Sequence, residues 1–242
     1  MSQWLSTIVE DFNTAFIVDN RWKYLVEGIS NTLILTFFAL VLGVILGVVI
    51  AAIRTTYDKQ YDSMNPGVGK FLLAIGNIIS KIYLTVIRGT PAMVQILIIF
   101  FIIMASSDNK MLCGVIAFGV NSGAYVAEII RGGIMSIDAG QTEAGRSLGF
   151  NYIQTMWFIV LPQTFKNILP ALANEFIVLL KETAIAGYVG VTDLTRGANI
   201  IRGITYQSFW PLLAIAAIYL VMVMFFTWLV GILERRLRKS ER

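Results

Sequence analysis

Apolar residues run through this chain in blocks too long for the core of a water-soluble domain. The first block, 29–53, holds no charged residue until Arg54 closes it. A helix rises about 1.5 Å per residue, so about 20 apolar residues cross the roughly 30 Å hydrocarbon layer of a bilayer. A second block, 91–105, is short and needs help from the preceding 78–87. A third covers 111–130 and stops at Arg131, a fourth covers 170–191, and a fifth covers 210–233. The pattern predicts five membrane-spanning helices, which puts the two termini on opposite sides. Lys81 and Arg88 stand two turns apart, so 78–87 reads as an amphipathic helix lying at the inner surface. Arg88-Gly89-Thr90-Pro91 breaks it, because Pro91 cannot donate to Ile87 and its ring crowds that carbonyl.

One polar stretch interrupts the apolar pattern in a structured way. Asp138 is suited to cap a short helix, with Gln141 three residues on as a weak capping box. Gly149 suits a left-handed helix end. Asn151 is suited to cap a second helix through Val160, which Pro162 then limits. Residues 136–162 thus read as helix, tight turn, helix, joining the third and fourth spans. From polarity alone the stretch equally suits a plain solvated connection.

Composition agrees with the membrane reading. The chain has 242 residues, of which 57% are hydrophobic and 14% charged, where soluble domains carry about 25% charge. The mean hydropathy is +0.73. Most Lys and Arg fall on segments that are cytoplasmic if the N-terminus lies outside. They include Arg54, Lys59, Arg131, Arg146 and the terminal cluster from Arg235, the asymmetry that sets orientation. The basic tail suits anionic headgroups rather than nucleic acid. Three parts follow: an extracytoplasmic segment 1–28, a membrane domain 29–234 and a basic tail 235–242. Residues 1–28 carry Glu10, Asp11, Asp19 and Glu27 without a basic run leading into an early apolar core, unlike a cleaved signal peptide. Trp4, Trp22, Tyr206 and Trp210 sit near span ends as interfacial anchors. Gly43 with Gly47, and Gly119 with Gly123, are small pairs that permit close helix contact.

Several chemistries have no residues to run on. Histidine is absent and Cys113 is the single cysteine, which removes the usual metal ligands, an internal disulfide and the commonest general base. Gly67-Val68-Gly69-Lys70 lacks the spacing and the Ser or Thr of a nucleotide-binding loop. Energy must come from elsewhere than a nucleotide held by this chain.

Ionisable residues inside spans are costly and face a bundle interior or a cavity. Asn121, Tyr125, Glu128 and Gly132 fall on one stripe of the third span. In the fourth, Glu175 and Glu182 share one face and Asn174 and Lys181 another. A pairing of Lys181 with Glu128 that merely holds the bundle is one reading. The other is a path lined by Asn121, Tyr125, Glu128, Lys181 and Glu182, where Lys181 meets a carboxylate and Glu182 or Glu128 an ammonium.

Glu143-Ala144-Gly145, then Gly149, then nine residues to Ile159, with Leu161-Pro162 following, resembles the "EAA" signature of the permease subunits of bacterial ABC importers. Ala139 to Gly149, Arg88-Gly89-Thr90-Pro91, the stretch from Tyr125 to Gly133, and Leu179-Leu180-Lys181-Glu182-Thr183 look most like the polar amino-acid subfamily. Gly145 departs from that pattern, which usually has a second Ala. The resemblance implies an all-α, five-helix membrane fold of the type I importer kind in the inner (plasma) membrane, with the N-terminus outside and the C-terminus cytoplasmic. It implies a coupling helix, with Gln141, Glu143, Ala144, Gly145, Arg146 and Gly149 engaging a cytoplasmic ATPase. The implied partners are an ATPase dimer that holds ATP and Mg, a second permease subunit, an extracytoplasmic solute-binding protein and membrane lipid. This chain would bind no cofactor and catalyse nothing itself. A carrier driven by an ion gradient and a membrane enzyme acting on lipids are the rivals. Five spans without an inverted repeat disfavour the carrier, and the enzyme leaves the polar loop unexplained.

Overall fold

A computed structural model describes the backbone of residues 2–239 and the side chains of 7–237. Trp4 and the last basic side chains, Arg238, Lys239 and Arg242, lie outside the described side chains. Helix α1 (Ser2–Phe12) leads through two tight turns into α2 (Trp22–Gln60), which is 39 residues long. It continues past both ends of its apolar block because no Gly-Pro break occurs before residue 65. Then come α3 (Val68–Gly89), α4 (Ala92–Ile98) with a π turn to Ile103, and α5 (Lys110–Met135). The polar loop forms α6 (Ala139–Ser147) and α7 (Tyr152–Thr155). Helix α8 (Leu161–Glu182) continues as a 3-10 segment to Val189, followed by α9 (Leu194–Thr205) and α10 (Phe209–Lys239).

Among the described residues, four helical stretches are long and apolar enough to cross a membrane: Trp22–Ser63, Val68–Gly89, Lys110–Met135 and Phe209–Leu237. The expected surface helix at 78–87 is instead part of α3, a helix of membrane-spanning length. Its Gly76 faces Ile53 of α2, while its Tyr83 hydroxyl donates to the Val120 carbonyl of α5 at 2.5 Å. The reason lies in which face turns inward. Asn77 and Ser80 are buried, whereas Phe71, Leu72, Ile78, Ile79 and Ile82 are exposed. Its apolar residues look outward and its polar ones inward, the arrangement suited to a helix surrounded by hydrocarbon rather than to one lying at a surface in water. The expected fourth span does not stand out by apolar length, since Lys181 and Glu182 close α8 and the chain then tightens into 3-10 turns.

Helices α2 and α5 run parallel in close contact. Gly43 lies against Ser122 and Gly123, Gly47 against Val126 and Ala127, and Gly119 against Leu42. The two small-residue pairs expected to permit close packing face one another. The rest of the core follows the same inside-out rule, with Thr32, Thr36, Asn121 and Ser122 buried while α10 and α3 keep most of their apolar surface uncovered. These four polar residues find partners inside the protein: Thr36 Oγ1 donates to Thr32 O at 2.7 Å, Thr32 Oγ1 accepts from the Leu194 N–H, Asn121 donates to Gln95 and Ser122 to Glu175, as buried polar groups normally do.

At the N-terminal end of α2, Asp193 caps α9, its Oδ1 accepting from the Arg196 N–H at 2.8 Å. Burial pushes its carboxyl up from 3.8 to about 6, against the pull of that N–H. A raised acid favours its protonated form in the fold. Its contribution to stability is therefore complete below about pH 4 and lost as pH rises through about 6, on the order of 3 kcal/mol. Asp193→Asn keeps the cap oxygen and removes the charge. Thermal unfolding between pH 4 and 8 should show wild type weakening with pH while the variant stays flatter; parallel profiles would refute the assignment.

Candidate functional site

The polar loop is built by local capping. Asp138 Oδ1 accepts from the Gly140 N–H at 2.7 Å, starting α6. Gln141 does not complete a capping box as expected; its Oε1 accepts instead from Gln163 Nε2 of α8 at 3.2 Å. The box forms one turn later, where Asn151 Oδ1 accepts from the Gln154 N–H and Gln154 Oε1 from the Asn151 N–H, both at 2.9 Å. Between them Gly149 adopts φ +83°, and the Phe150 N–H donates to Gly145 O at 3.0 Å. A left-handed residue there is what turns α7 back beneath α6.

Gly145 is the contact point. It is buried, and a Cβ placed on it would meet Thr155 at 2.9 Å and Ile159 at 3.0 Å. The glycine at the place where Ala is usual thus lets α6 lie directly on the segment that leads into α8. On the other side Glu143, Ala144 and Arg146 are exposed, as are Gln141 and Gly149. The six loop residues singled out in the sequence therefore divide. One packs inward, one makes the turn, one is tied to α8 and three look outward.

Pro162 does not end the second helix. Residues Met156–Val160 form a π turn in which the Leu161 N–H donates to Met156 O, and Pro162 occupies the first turn of α8. A wider turn accommodates the missing N–H and the ring that would crowd Phe158. The chain is therefore helical without a gap from α7 into α8, and α8 is fastened in turn to α5 by a hydrogen bond from Ser122 Oγ to Glu175 Oε1 at 2.8 Å.

A second polar region lies on α5. Tyr125 is exposed, Glu128 half-buried and Gly132 open, while Asn121 is buried. Glu128 does not pair with Lys181. Its carboxylate accepts from Arg131 Nη2 at 3.1 Å and lies 3.8 Å from Arg88 Nη1. Arg88 also sits over the Tyr125 ring, 5.8 Å from its centroid. Glu128 lies six residues along α5 to one side of the Ser122–Glu175 bond, and Lys181 six residues along α8 to the other. At 1.5 Å per residue that is roughly 18 Å of separation along the helices. Lys181 is exposed and forms no ion pair among the described residues, with Glu182 half-buried beside it. The five expected path residues thus form two groups rather than one.

Gln95 holds the Arg88-to-Pro91 break together. Its Nε2 donates to Ile87 O at 2.7 Å, whose helical partner would be the N–H that Pro91 lacks, and to Thr90 O at 3.0 Å, left free because the Val94 N–H bonds Pro91 O instead. Its Oε1 accepts from Asn121 Nδ2 at 2.9 Å. Replacing Gln95 with Leu leaves these buried groups unpaired and should cost about 2–3 kcal/mol; unchanged thermal stability would remove it from this role. Gln95 and Ser122 were not picked out by the sequence, and Arg88 and Arg131 were noted only as marks of a helix break and a span end, not as partners of Glu128. Arg131 was detectable at three residues from Glu128 on a helix, but Arg88 reaches Glu128, Gln95 reaches Asn121 and Ser122 reaches Glu175 only through tertiary packing.

The family model described as "Binding-protein-dependent transport system inner membrane component" matches residues 69–239. A putative glutamine transport system permease protein of Rickettsia typhi is 35% identical over 217 residues, 88% of this chain and 93% of that protein. The arginine transport system permease protein of Bacillus subtilis is 40% identical over 166 residues, covering 67% and 76%. Among solved structures, an amino acid ABC transporter crystallised with histidines aligns with a TM-score of 0.79 at 41% identity, covering 91% of this chain and 98% of that one. The methionine ABC transporter in an inward-facing conformation aligns at 0.69 and 18% identity, covering 88% and 95%, a likeness of fold.

Proposed function

The chain belongs to the family of inner-membrane components of binding-protein-dependent transport systems, and from that footing we propose that it imports polar amino acids, driven by ATP hydrolysis on a separate subunit. Glutamine and arginine permeases among its relatives support the substrate class. The chain performs no catalysis; ATP and Mg stay on the partner.

The observation that carries the mechanism is the unbroken helical path from the polar loop into α8. A short helix presenting Glu143, Ala144 and Arg146 outward, and seated through Gly145 on Thr155 and Ile159, is suited to receive movement from an ATPase groove. Rigid connection through Pro162 passes that movement to α8, and the Ser122–Glu175 bond passes it to α5. Closure of the ATPase pair on ATP then opens the path outward, and hydrolysis resets it.

Five passages are proposed: α2; α3 with α4 across the Pro91 break; α5; α8 with its 3-10 extension; and α10. The N-terminus lies outside and the basic tail from Arg235 inside, with 1–28 as the outer segment and 136–162 as the coupling region. Five helices enclose a pathway poorly, and α10 has little of its surface covered, so a second copy or a similar subunit completes it. An extracytoplasmic binding protein delivers the substrate. Asn121, Tyr125 and Glu128, joined by Arg88 and Arg131, line the inner part of the path, and Lys181 with Glu182 the outer part.

Purification of the tagged chain from its own membrane should bring down a cytoplasmic ATPase; recovery without one would overturn the reading. Uptake by Lys181→Ala should show a weaker apparent affinity. An unchanged affinity and substrate range would leave Lys181 a structural residue.

A further inference from the structure

A groove of about 550 Å³ opens between α2, the end of α5, α7 and the start of α8. That volume falls within the about 300–1,000 Å³ typical of small-molecule sites. Its rim is apolar and exposed, with Val48, Ile153, Trp157 and Phe165, and its floor holds Ile134 and Ile168. Two further floor residues are polar. Thr55 and Thr164 are each 1% exposed, and neither hydroxyl has a hydrogen-bond partner. Buried hydroxyls are normally satisfied, so a mostly hydrocarbon occupant with an acceptor near Thr55 and Thr164 fits this lining better than water or a purely apolar side chain.

The position selects the occupant. On α2 the lining stripe Val48, Ala52, Thr55 and Thr56 continues one turn later at Lys59, so a cation stands at the end nearest the polar loop. Trp157 at the rim is the residue type that settles where hydrocarbon meets headgroups. We infer that the groove binds one acyl chain of an anionic phospholipid of the inner leaflet, its ester carbonyl accepting from Thr55 or Thr164 and its headgroup near Lys59. The inference rests on the proposed orientation, which puts this end of α2 at the cytoplasmic face. Because α7 forms one wall and α2 and α5 the other, the lipid bridges the coupling segment and the membrane helices.

The test uses the whole transporter in nanodiscs of phosphatidylglycerol bearing a photoactivatable diazirine on one acyl chain. Label should enter the peptides around 153–165, and Ala52→Trp, which fills the groove, should abolish it there. Leu220→Trp, on the exposed face of α10, should leave it intact. Ile153→Asp, on the exposed rim, should also lower labelling and does not depend on Ala52→Trp folding. Lys59→Gln should reduce the preference for phosphatidylglycerol over phosphatidylcholine about five-fold, the effect of one basic residue near an anionic surface. Equal labelling in Ala52→Trp and Ile153→Asp overturns the proposal. So does a disulfide between two copies through Ile153→Cys, which would make the groove a subunit interface. Labelling of Glu143→Cys by an impermeant thiol reagent reports sidedness separately, so failure of the orientation is distinguishable from failure of the lipid site.

Discussion

Uptake should fall at least thirty-fold, to about 3% of wild type or less, when Glu143 is replaced by Lys, while the chain still reaches the membrane in normal amount. Glu143 is exposed on α6 and takes part in no ion pair among the described residues, so the substitution removes nothing the fold needs. Its effect must arise at the surface it presents to a partner. Reversing a charge in a close interfacial contact typically costs about 2–5 kcal/mol, which is thirty-fold or more in binding. The companion change Gly149→Val acts through the backbone. At φ +83° a β-branched residue is strained by about 1–2 kcal/mol, and the turn that sets α6 against α7 should shift. Radiolabelled amino-acid uptake in membrane vesicles, with ATPase activity measured alongside, checks both. Full uptake in Glu143→Lys with the ATPase still bound would remove the loop from coupling.

The second large effect is on folding. Gly197→Leu should destabilise the protein by about 3 kcal/mol or more, because overpacking against an immovable neighbour is costly. A Cβ on Gly197 would lie 2.5 Å from the carbonyl oxygen of Tyr24, and one on Gly28 would lie 2.6 Å from the Cα of Leu194. These are backbone atoms, so no side chain can move aside; α9 and α2 touch main chain to main chain. Gly203, on the same helix, has nothing within 4 Å of its Cβ position, so Gly203→Leu should stay close to wild type. Thermal unfolding of the solubilised transporter separates the two, and a Gly197→Leu variant as stable as Gly203→Leu would contradict the contact.

The class of the protein is written in its apolar blocks. Lipid requires every backbone group to be satisfied internally, so long uncharged runs such as 29–53 become helices regardless of their neighbours. The polar loop was also legible, because Asp138, Gly149 and Asn151 act on groups within four residues of themselves. Local signals misled in three places. Pro162 reads as a stop, yet a π turn carries the helix past it. Lys81 and Arg88 read as marks of a surface helix, yet they belong to a 22-residue helix, α3, of membrane-spanning length that hides Asn77 and Ser80 and leaves its apolar face uncovered. Lys181 and Glu128 look complementary, yet they lie on opposite sides of the Ser122–Glu175 bond.

By itself the sequence determined that the chain is a helical membrane subunit carrying a capped, exposed helix, because helix formation in hydrocarbon and end-capping are settled by residues near one another. Tertiary structure alone decided that Arg88 and Arg131 take Glu128, that Gln95 closes the Pro91 break, and that Gly145 joins the loop to the segment entering α8. Arg88 reaches Glu128 and Gln95 reaches Asn121 only through the way whole helices cross, which no local periodicity encodes, while Gln95 and Gly145 meet their nearer partners only once the Pro91 break and the turn between α6 and α7 are folded.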